Sequence, residues 1–99
     1  MKKIVEMIIL KVKPETSEEQ LLLLSEQFNT ALQQKIDGFI SRVLTKDTQS
    51  DQWVELICWQ SLEAAQVALE KIYQLNEFTQ YCYALENGDM KIFYLEEKA

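Results

Sequence analysis

The stretch VELICWQSLEAA, residues 54–65, carries the chain from a β-strand into an α-helix. Its first half is rich in branched and aromatic residues, which favour strands. Ser61 then stands where a helix N-cap is expected, with Glu63 in the first turn. Glu55 interrupts this apolar strand and Trp59 ends it. A strand that only filled a core would need neither side chain, so both are candidates for function.

Strands and helices alternate on both sides of this stretch. KKIVEMIILKVK (2–13) is rich in Ile and Val, which predicts a first strand ending before Pro14. The helix predicted over 16–35 has apolar residues at helical spacing; they are Leu21, Leu24, Phe28, Ala31 and Leu32. The other predicted strands cover 39–45, 52–60 and 89–97. A second helix is predicted over 61–76, with an apolar stripe of Leu62, Ala65, Leu69 and Ile72. A short irregular helix is predicted within 77–88.

The order strand, helix, strand, strand, helix, strand predicts an α+β protein of the ferredoxin-like class. Its sheet has four antiparallel strands, and right-handed crossovers place both helices on one face. Ninety-nine residues suffice for one hydrophobic core but not for two, so we expect a single domain over 1–99.

Composition excludes several classes of function. The formal net charge of -6 disfavours nucleic acid and anionic membrane surfaces, because both attract clustered Lys and Arg. The chain has no histidine, the usual general base and the commonest zinc or haem ligand, so we expect no metal or other cofactor.

Cys58 and Cys82 lack a CxxC spacing, which favours free thiols. With no apolar run long enough to span a bilayer and no export signal, a cytoplasmic location is expected.

Alternation divides the third strand into two faces. One set is Val54, Leu56 and Cys58, and the other is Trp53, Glu55, Ile57 and Trp59. We expect the first set to lie under the helices because its side chains are apolar and small. The second set would then face away from the helices, with Val5, Met7 and Ile9 of the first strand and Phe93 and Leu95 of the last. Such an apolar face predicts a homodimer formed through this uncovered side of the sheet.

The second strand carries Arg42 on the same face as Ile40 and Leu44. A turn over 46–51 that places Arg42 opposite Glu55 would match their charges across the ladder. The same register would keep charge away from the helix-covered face. Glu6 shares the parity of other apolar residues in its strand, and we expect it to be exposed near the strand start.

Four motifs in this order resemble the antibiotic-biosynthesis-monooxygenase family of dimeric α/β barrels. They are LKVKPE (10–15), DGF (37–39), CWQSLEAA (58–65) and EFTQYC (77–82). The resemblance covers nearly the whole chain and implies a small homodimer with a pocket beside each sheet. Some members oxidise phenolic or quinol-type substrates with molecular oxygen, without metal or flavin, and others degrade haem. In the family, the tryptophan that Trp59 matches looks like a pocket residue.

Two departures disfavour haem degradation. Haem-degrading members use a histidine shortly after the second helix, where this chain has Cys82, and an asparagine in the first strand, where it has Met7.

The resemblance and the strand faces together give two groups of candidate site residues. Glu55 is a candidate proton acceptor, although a neighbouring arginine is expected to keep its pKa low, and Tyr81 could hydrogen-bond a phenolic oxygen. The ligand-binding candidates are Met7, Arg42, Trp59, Phe78 and Cys82. The alternative is structural: the tryptophans would pack in the dimer interface, Arg42 and Glu55 would fix the strand register, and Tyr81 would belong to a packed turn. Cys82 is a poor nucleophile candidate because nothing nearby would lower its pKa.

Two functions fit these residues. One is a cofactor-independent monooxygenase acting on a quinol or another small aromatic substrate. The other is a non-catalytic, small-molecule-binding or stress-related dimer of the same fold. Fold alone does not choose between them.

Overall fold

The computed structural model describes residues 2–88 and 90–99. The elements are β1 (Ile4–Lys11), α1 (Glu18–Lys35), β2 (Phe39–Lys46), β3 (Gln52–Trp59), α2 (Leu62–Tyr73), α3 (Asn76–Tyr83) and β4 (Lys91–Glu96). The sheet is antiparallel, with the order β2-β3-β1-β4, which confirms the predicted ferredoxin-like class. The segment expected to be an irregular helix contains a regular one, α3. Asp89, predicted to begin the last strand, lies outside the described residues.

Serine caps begin both long helices, and the cap of α2 is the predicted Ser61. The hydroxyls of Ser17 and Ser61 accept hydrogen bonds from the backbone N–H of the residue three positions later, at 3.1 and 3.0 Å. The apolar stripe of α1 faces the core as expected. The stripe predicted for α2 is partly wrong, because Leu62 and Leu69 are largely exposed and Ala68 is buried in the core. The small alanine lets α2 pack close to the sheet.

Gly38 connects α1 to β2 at a point where two parts of the backbone nearly touch. Its φ of 83° lies in the left-handed region, which favours glycine. A Cβ at this position would lie 2.6 Å from the Cβ of Ala64 in α2. The carbonyl of Gly38 accepts a hydrogen bond from the backbone N–H of Gln60 at 2.9 Å. A residue without a side chain is therefore required here for β3 and α2 to follow each other closely.

The predicted assignment of the faces of β3 is wrong. The helices cover Trp53, Glu55, Ile57 and Trp59, all of which are buried, and the smaller Val54, Leu56 and Cys58 lie on the other side. Both sets contain enough apolar residues for a core face. The set with the larger side chains fills the space between sheet and helices, because the two indole rings bury more apolar surface there.

The predicted pairing of β2 with β3 is also wrong, by two residues. Arg42 lies opposite Ile57, and Leu44 lies opposite Glu55, with an irregularity between Phe39 and Ser41. A two-residue shift preserves the faces of both strands, so Arg42 and Glu55 still lie on the same side of the sheet. They form an ion pair diagonally across the ladder. Contrary to expectation, this charge pair lies on the helix-covered face.

The opposite side of the sheet, called here the outer sheet face, is apolar and is covered by no element among residues 2–88 and 90–99. Its residues are Val5, Met7 and Ile9 of β1, Val43 of β2, Val54, Leu56 and Cys58 of β3, and Phe93 and Leu95 of β4. The placement of the β1 and β4 residues on this face is confirmed, whereas that of Trp53, Ile57 and Trp59 was wrong. Each apolar residue of β4 is more than 40% exposed.

Within the described part of the chain, no helix combines the length and the apolar character needed to cross a lipid bilayer.

Candidate functional site

A cavity of about 90 Å³ lies between the sheet and the helices. Its wall is mainly apolar but includes two carboxylates, three phenols and a thiol. The lining residues are Glu6, Ile8, Leu10, Phe28, Glu55, Ile57, Ala65, Leu69, Ile72, Tyr73, Phe78, Tyr81, Cys82, Leu85, Met90, Ile92 and Tyr94. Carboxylates and phenols converging in an apolar cavity are typical of a small-molecule site.

Glu55 enters the cavity from β3 and is only 3% exposed. The guanidinium of Arg42 donates from Nε to Glu55 Oε2. The Nη1 of Arg42 donates to the hydroxyl and the backbone carbonyl of Ser25 in α1, at 2.8 and 3.2 Å. Burial raises the pKa of Glu55, and the positive charge of Arg42 offsets part of that rise. The expectation of a low pKa was therefore wrong, because loss of hydration outweighs the ion pair.

Two aromatic rings hold the guanidinium of Arg42. Its Cζ lies 5.0 Å from the centroids of both Phe28 and Tyr81, and those two rings stack with centroids 5.3 Å apart. Cation–π contacts of this kind stabilise a desolvated guanidinium. Arg42 does not line the cavity itself. It neutralises Glu55 from behind the wall and fixes where that carboxylate points.

Tyr81 is 1% exposed, and its hydroxyl has no hydrogen-bond partner within residues 2–88 and 90–99. Burial raises the pKa of Tyr81 and the nearby negative charge of Glu55 adds to the rise, whereas the neighbouring Arg42 opposes it. The phenol therefore stays protonated and can donate a hydrogen bond. A buried hydroxyl without a partner is costly, so a ligand oxygen that accepts from it would gain binding energy.

Tyr73, Tyr94 and Glu6 line the cavity although none was a predicted site residue, and Glu6 is the carboxylate among them. It was expected to be exposed, yet it is 8% exposed and lines the cavity from β1. The indole N–H of Trp59 donates to Glu6 Oε1 at 2.9 Å. The signal was present in the alternation of β1, since Glu6 shares the parity of Ile4, Ile8 and Leu10, all of which are in the core.

Burial raises the pKa of Glu6 above its usual value of 4.5. The hydrogen bond from Trp59 opposes this rise, and the negative charge of Glu55 adds to it. No cation within the described residues pairs with Glu6 to offset the loss of hydration. Glu6 and Glu55 thus have different environments, one held by an indole and the other by a guanidinium.

Glu6→Gln should stabilise the protein at neutral pH. Burial raises the pKa of Glu6 in the folded protein, so folding favours the protonated carboxyl. The resulting stability is complete below the pKa of the unfolded chain and is lost as pH rises through the folded-state pKa. Glutamine still accepts from Trp59 but cannot ionise. Urea unfolding should therefore give nearly equal stabilities near pH 4 and a more stable variant near pH 7. Glu97→Gln, at an exposed position, is the control. A difference that does not grow with pH would contradict this assignment.

The cavity opens between α2 and β4. Tyr73, Met90, Ile92 and Tyr94 line it and are each between 42% and 63% exposed. Pockets for drug-sized ligands are larger, about 300–1,000 Å³, and about 150 Å³ suffices for benzene. A single aromatic ring would therefore enter only with an outward movement of these exposed side chains.

The structure brings four predicted site residues to the cavity: Glu55, Phe78, Tyr81 and Cys82. Arg42 and Trp59 lie behind its wall and act on it through Glu55 and Glu6. Met7 is not at this site, because it projects from the outer sheet face opposite Leu56 and Phe93. Odd-numbered residues of β1 point away from the helices, so Met7 cannot share a pocket with Tyr81.

Burial raises the pKa of Cys82, and the charge of Glu55 adds to the rise. The thiol is therefore protonated at neutral pH, which disfavours a nucleophilic role. Among residues 2–88 and 90–99, no cluster of three or more Cys, Asp or Glu side chains is arranged to hold a metal ion.

Solved proteins named as oxygenases have the same fold. The cofactor-independent oxygenase SnoaB from Streptomyces nogalater superposes with a TM-score of 0.78, covering 100% of this chain and 96% of its own at 12% identity. A protein from Caulobacter crescentus, named provisionally as an antibiotic biosynthesis monooxygenase, gives 0.72, with 99% and 92% covered at 18% identity. A protein from Bordetella bronchiseptica with the same provisional name gives 0.78, with 100% of both chains covered at 12% identity.

These structures confirm the predicted resemblance at the level of the fold. No protein-family model matches the sequence, and no curated protein sequence is significantly similar to it.

Proposed function

We propose that the protein is a cofactor-independent monooxygenase whose substrate is a quinol or a similar small aromatic ring. The observation that carries the proposal is the cavity, in which the unpartnered hydroxyl of Tyr81 and the carboxylates of Glu6 and Glu55 meet an apolar wall. The solved oxygenase named cofactor-independent, which shares this fold, supports the same activity.

The chemistry requires little from the protein. A quinol that loses a proton becomes an electron-rich anion and can transfer one electron directly to O₂. The resulting radical and superoxide combine to form a peroxide anion. This anion takes up a proton to become a hydroperoxide, and loss of water leaves a hydroxyquinone. One oxygen atom enters the ring, the other leaves as water, and the substrate supplies all four electrons. The protein must bind the ring, accept a proton and limit the access of water.

The side chains of the cavity suit these tasks. Phe78 packs against Phe28 and Tyr73, with ring centroids 5.4 and 5.6 Å apart, and gives the cavity an aromatic wall. Tyr81 can donate to an oxygen of the ring, and that hydrogen bond strengthens as the oxygen gains negative charge. The carboxylates Glu6 and Glu55 are the available proton acceptors.

Oxygen consumption with a panel of hydroquinones and anthrones tests the proposal. Substrate-dependent uptake is expected, with single rings preferred because the cavity is small. Tyr81→Phe should lower the rate by about 10- to 1,000-fold, because it removes the hydrogen bond to the developing charge. Tyr83→Phe, an exposed tyrosine two residues away, is the matched control and should leave uptake unchanged. Equal rates for the two variants would remove Tyr81 from the site.

The second candidate is a small-molecule-binding protein without catalysis. The ion pair between Arg42 and Glu55 favours it, because a proton accepted by Glu55 would leave the buried guanidinium without its counter-charge. Binding of the same quinols without oxygen uptake would support this alternative.

We also propose that the partner of this chain is a second copy, bound through the outer sheet face. The face is apolar, and no element of the described chain covers it. A two-fold axis lets identical apolar faces cover each other.

A further inference from the structure

We propose that Glu6 is the residue that takes the proton from the substrate, and that the cavity accepts a neutral ring with an ionisable hydroxyl rather than an anionic ligand. This inference deepens the proposed function and rests on it for the oxygen-dependent step only. It starts from the contrast between the two buried carboxylates.

Glu6 is the better placed of the two carboxylates to accept a proton, because it is not tied to a cation. A proton on Glu55 would leave the buried guanidinium of Arg42 without its counter-charge, which is costly. A proton on Glu6 leaves no cation unpaired, and the indole N–H of Trp59 still holds the oxygen to which it donates. Two carboxylates in one site whose environments separate their proton affinities commonly divide the acid–base work in this way.

The groups around Glu6 also indicate the charge of the ligand. The titratable side chains that face the cavity are Glu55 from β3, Tyr94 from β4, Tyr73 from α2, and Tyr81 and Cys82 from α3. All of these are neutral or negative, and the Arg42 charge behind the wall is already matched by Glu55. A carboxylate or phosphate ligand would meet uncompensated negative charge. A phenol that gives its proton to Glu6 leaves the total charge of the cavity unchanged.

Glu6 has a route for releasing its proton. It lies opposite Tyr94 in the β1–β4 ladder, at the open side of the cavity where Tyr94 is 42% exposed. Glu55, opposite Ile8 and Leu44, is on β3 and therefore one strand farther from β4 than Glu6 is. A general base must return to its ionised form after each turnover, and Glu6 is better placed to do so.

Trp59 is then a positioning residue. Its indole N–H stabilises the ionised form of Glu6, so replacing it should make Glu6 harder to ionise. In Trp59→Phe, the rise of the quinol oxidation rate with pH should therefore occur at a higher pH than in wild type. If Trp59 had only a structural role, the substitution would lower the rate by the same factor at every pH.

The test compares wild type with Glu6→Gln, using Glu97→Gln as an exposed control. In anaerobic solution, 4-nitrophenol should bind to wild type and show its phenolate absorption at pH values where the free phenol is protonated. Glu6→Gln should lose this band. In air, the quinol oxidation rate should rise with pH as Glu6 ionises, and Glu6→Gln should lower that rate by about 100-fold or more. 4-Nitrobenzoate, an anion, should bind to neither protein.

The outcomes separate the inference from the proposed function. Wild type that ionises nitrophenol but consumes no oxygen supports the role of Glu6 and refutes the monooxygenase. Oxygen uptake with the same rate and pH profile in Glu6→Gln overturns the role of Glu6 and leaves the monooxygenase standing. Nitrophenol that does not bind, or binds only as the neutral phenol, also overturns the inference, as does tight binding of nitrobenzoate.

Discussion

Replacing Arg42 by leucine should lower the free energy of unfolding by about 3–5 kcal/mol, the usual cost of leaving a buried charge without its partner. The side chains of Arg42 and Glu55 are each 3% exposed, so water cannot replace the lost guanidinium. The variant also removes the hydrogen bonds to Ser25 and the cation–π contacts with Phe28 and Tyr81. Urea denaturation near pH 7 measures the loss.

Two further variants make this result specific to the pair. Lys46→Leu removes a positive charge from an exposed position on the same strand and should change stability by less than about 0.5 kcal/mol. The double variant Arg42→Leu, Glu55→Leu should recover most of the loss, because neither charge is then left alone. If Arg42→Leu is at least as stable as the double variant, the ion pair does not stabilise this part of the core.

The second large effect is on association. Light scattering after gel filtration should give twice the chain mass of 11.6 kDa at micromolar concentration. Leu56→Glu should convert this species to monomer, because it places a charge at the centre of the outer sheet face, between Met7 of β1 and Val43 of β2. Monomeric proteins rarely expose a contiguous apolar patch of more than a few hundred Å².

Gln66→Glu adds the same charge on the exposed side of α2 and should leave the dimer intact. Circular dichroism should show that both variants are folded. A wild-type monomer, or a Leu56→Glu protein of unchanged mass, would rule out this interface. Trp53, which the sequence analysis placed on the interface, is not suitable for the test. It is buried under the helices, so a glutamate there would unfold the chain instead of separating two copies.

The element order was predictable because local signals agree with the global fold. The serine cap of α2 and the apolar stripe of α1 are local signals that the structure keeps. The faces of β3 were not predictable from alternation, because alternation sorts residues into two sets without saying which set is inside. Glu55 suggested an outward face, and only its contact with Arg42 makes burial tolerable.

The candidate site was predicted in part for the same reason. Tyr81, Phe78 and Cys82 follow α2 in a segment that must pack back over the sheet, so their place near Glu55 followed from topology. Glu6 was missed because a lone glutamate among apolar residues reads as exposed. Its burial depends on the indole of Trp59, which is far along the sequence, and no local pattern in β1 reveals that partner.

The sheet order β2-β3-β1-β4 makes folding depend on contacts between distant parts of the chain. Only β2 and β3 are joined by a short turn and can pair locally. β1 lies between β3 and β4, so both of its edges stay open until long loops have closed. Closing such loops costs entropy before the strand contacts form, which slows folding relative to a helical protein of this length. During refolding, β1 is therefore the strand through which unfolded copies would aggregate, and dilution should raise the yield.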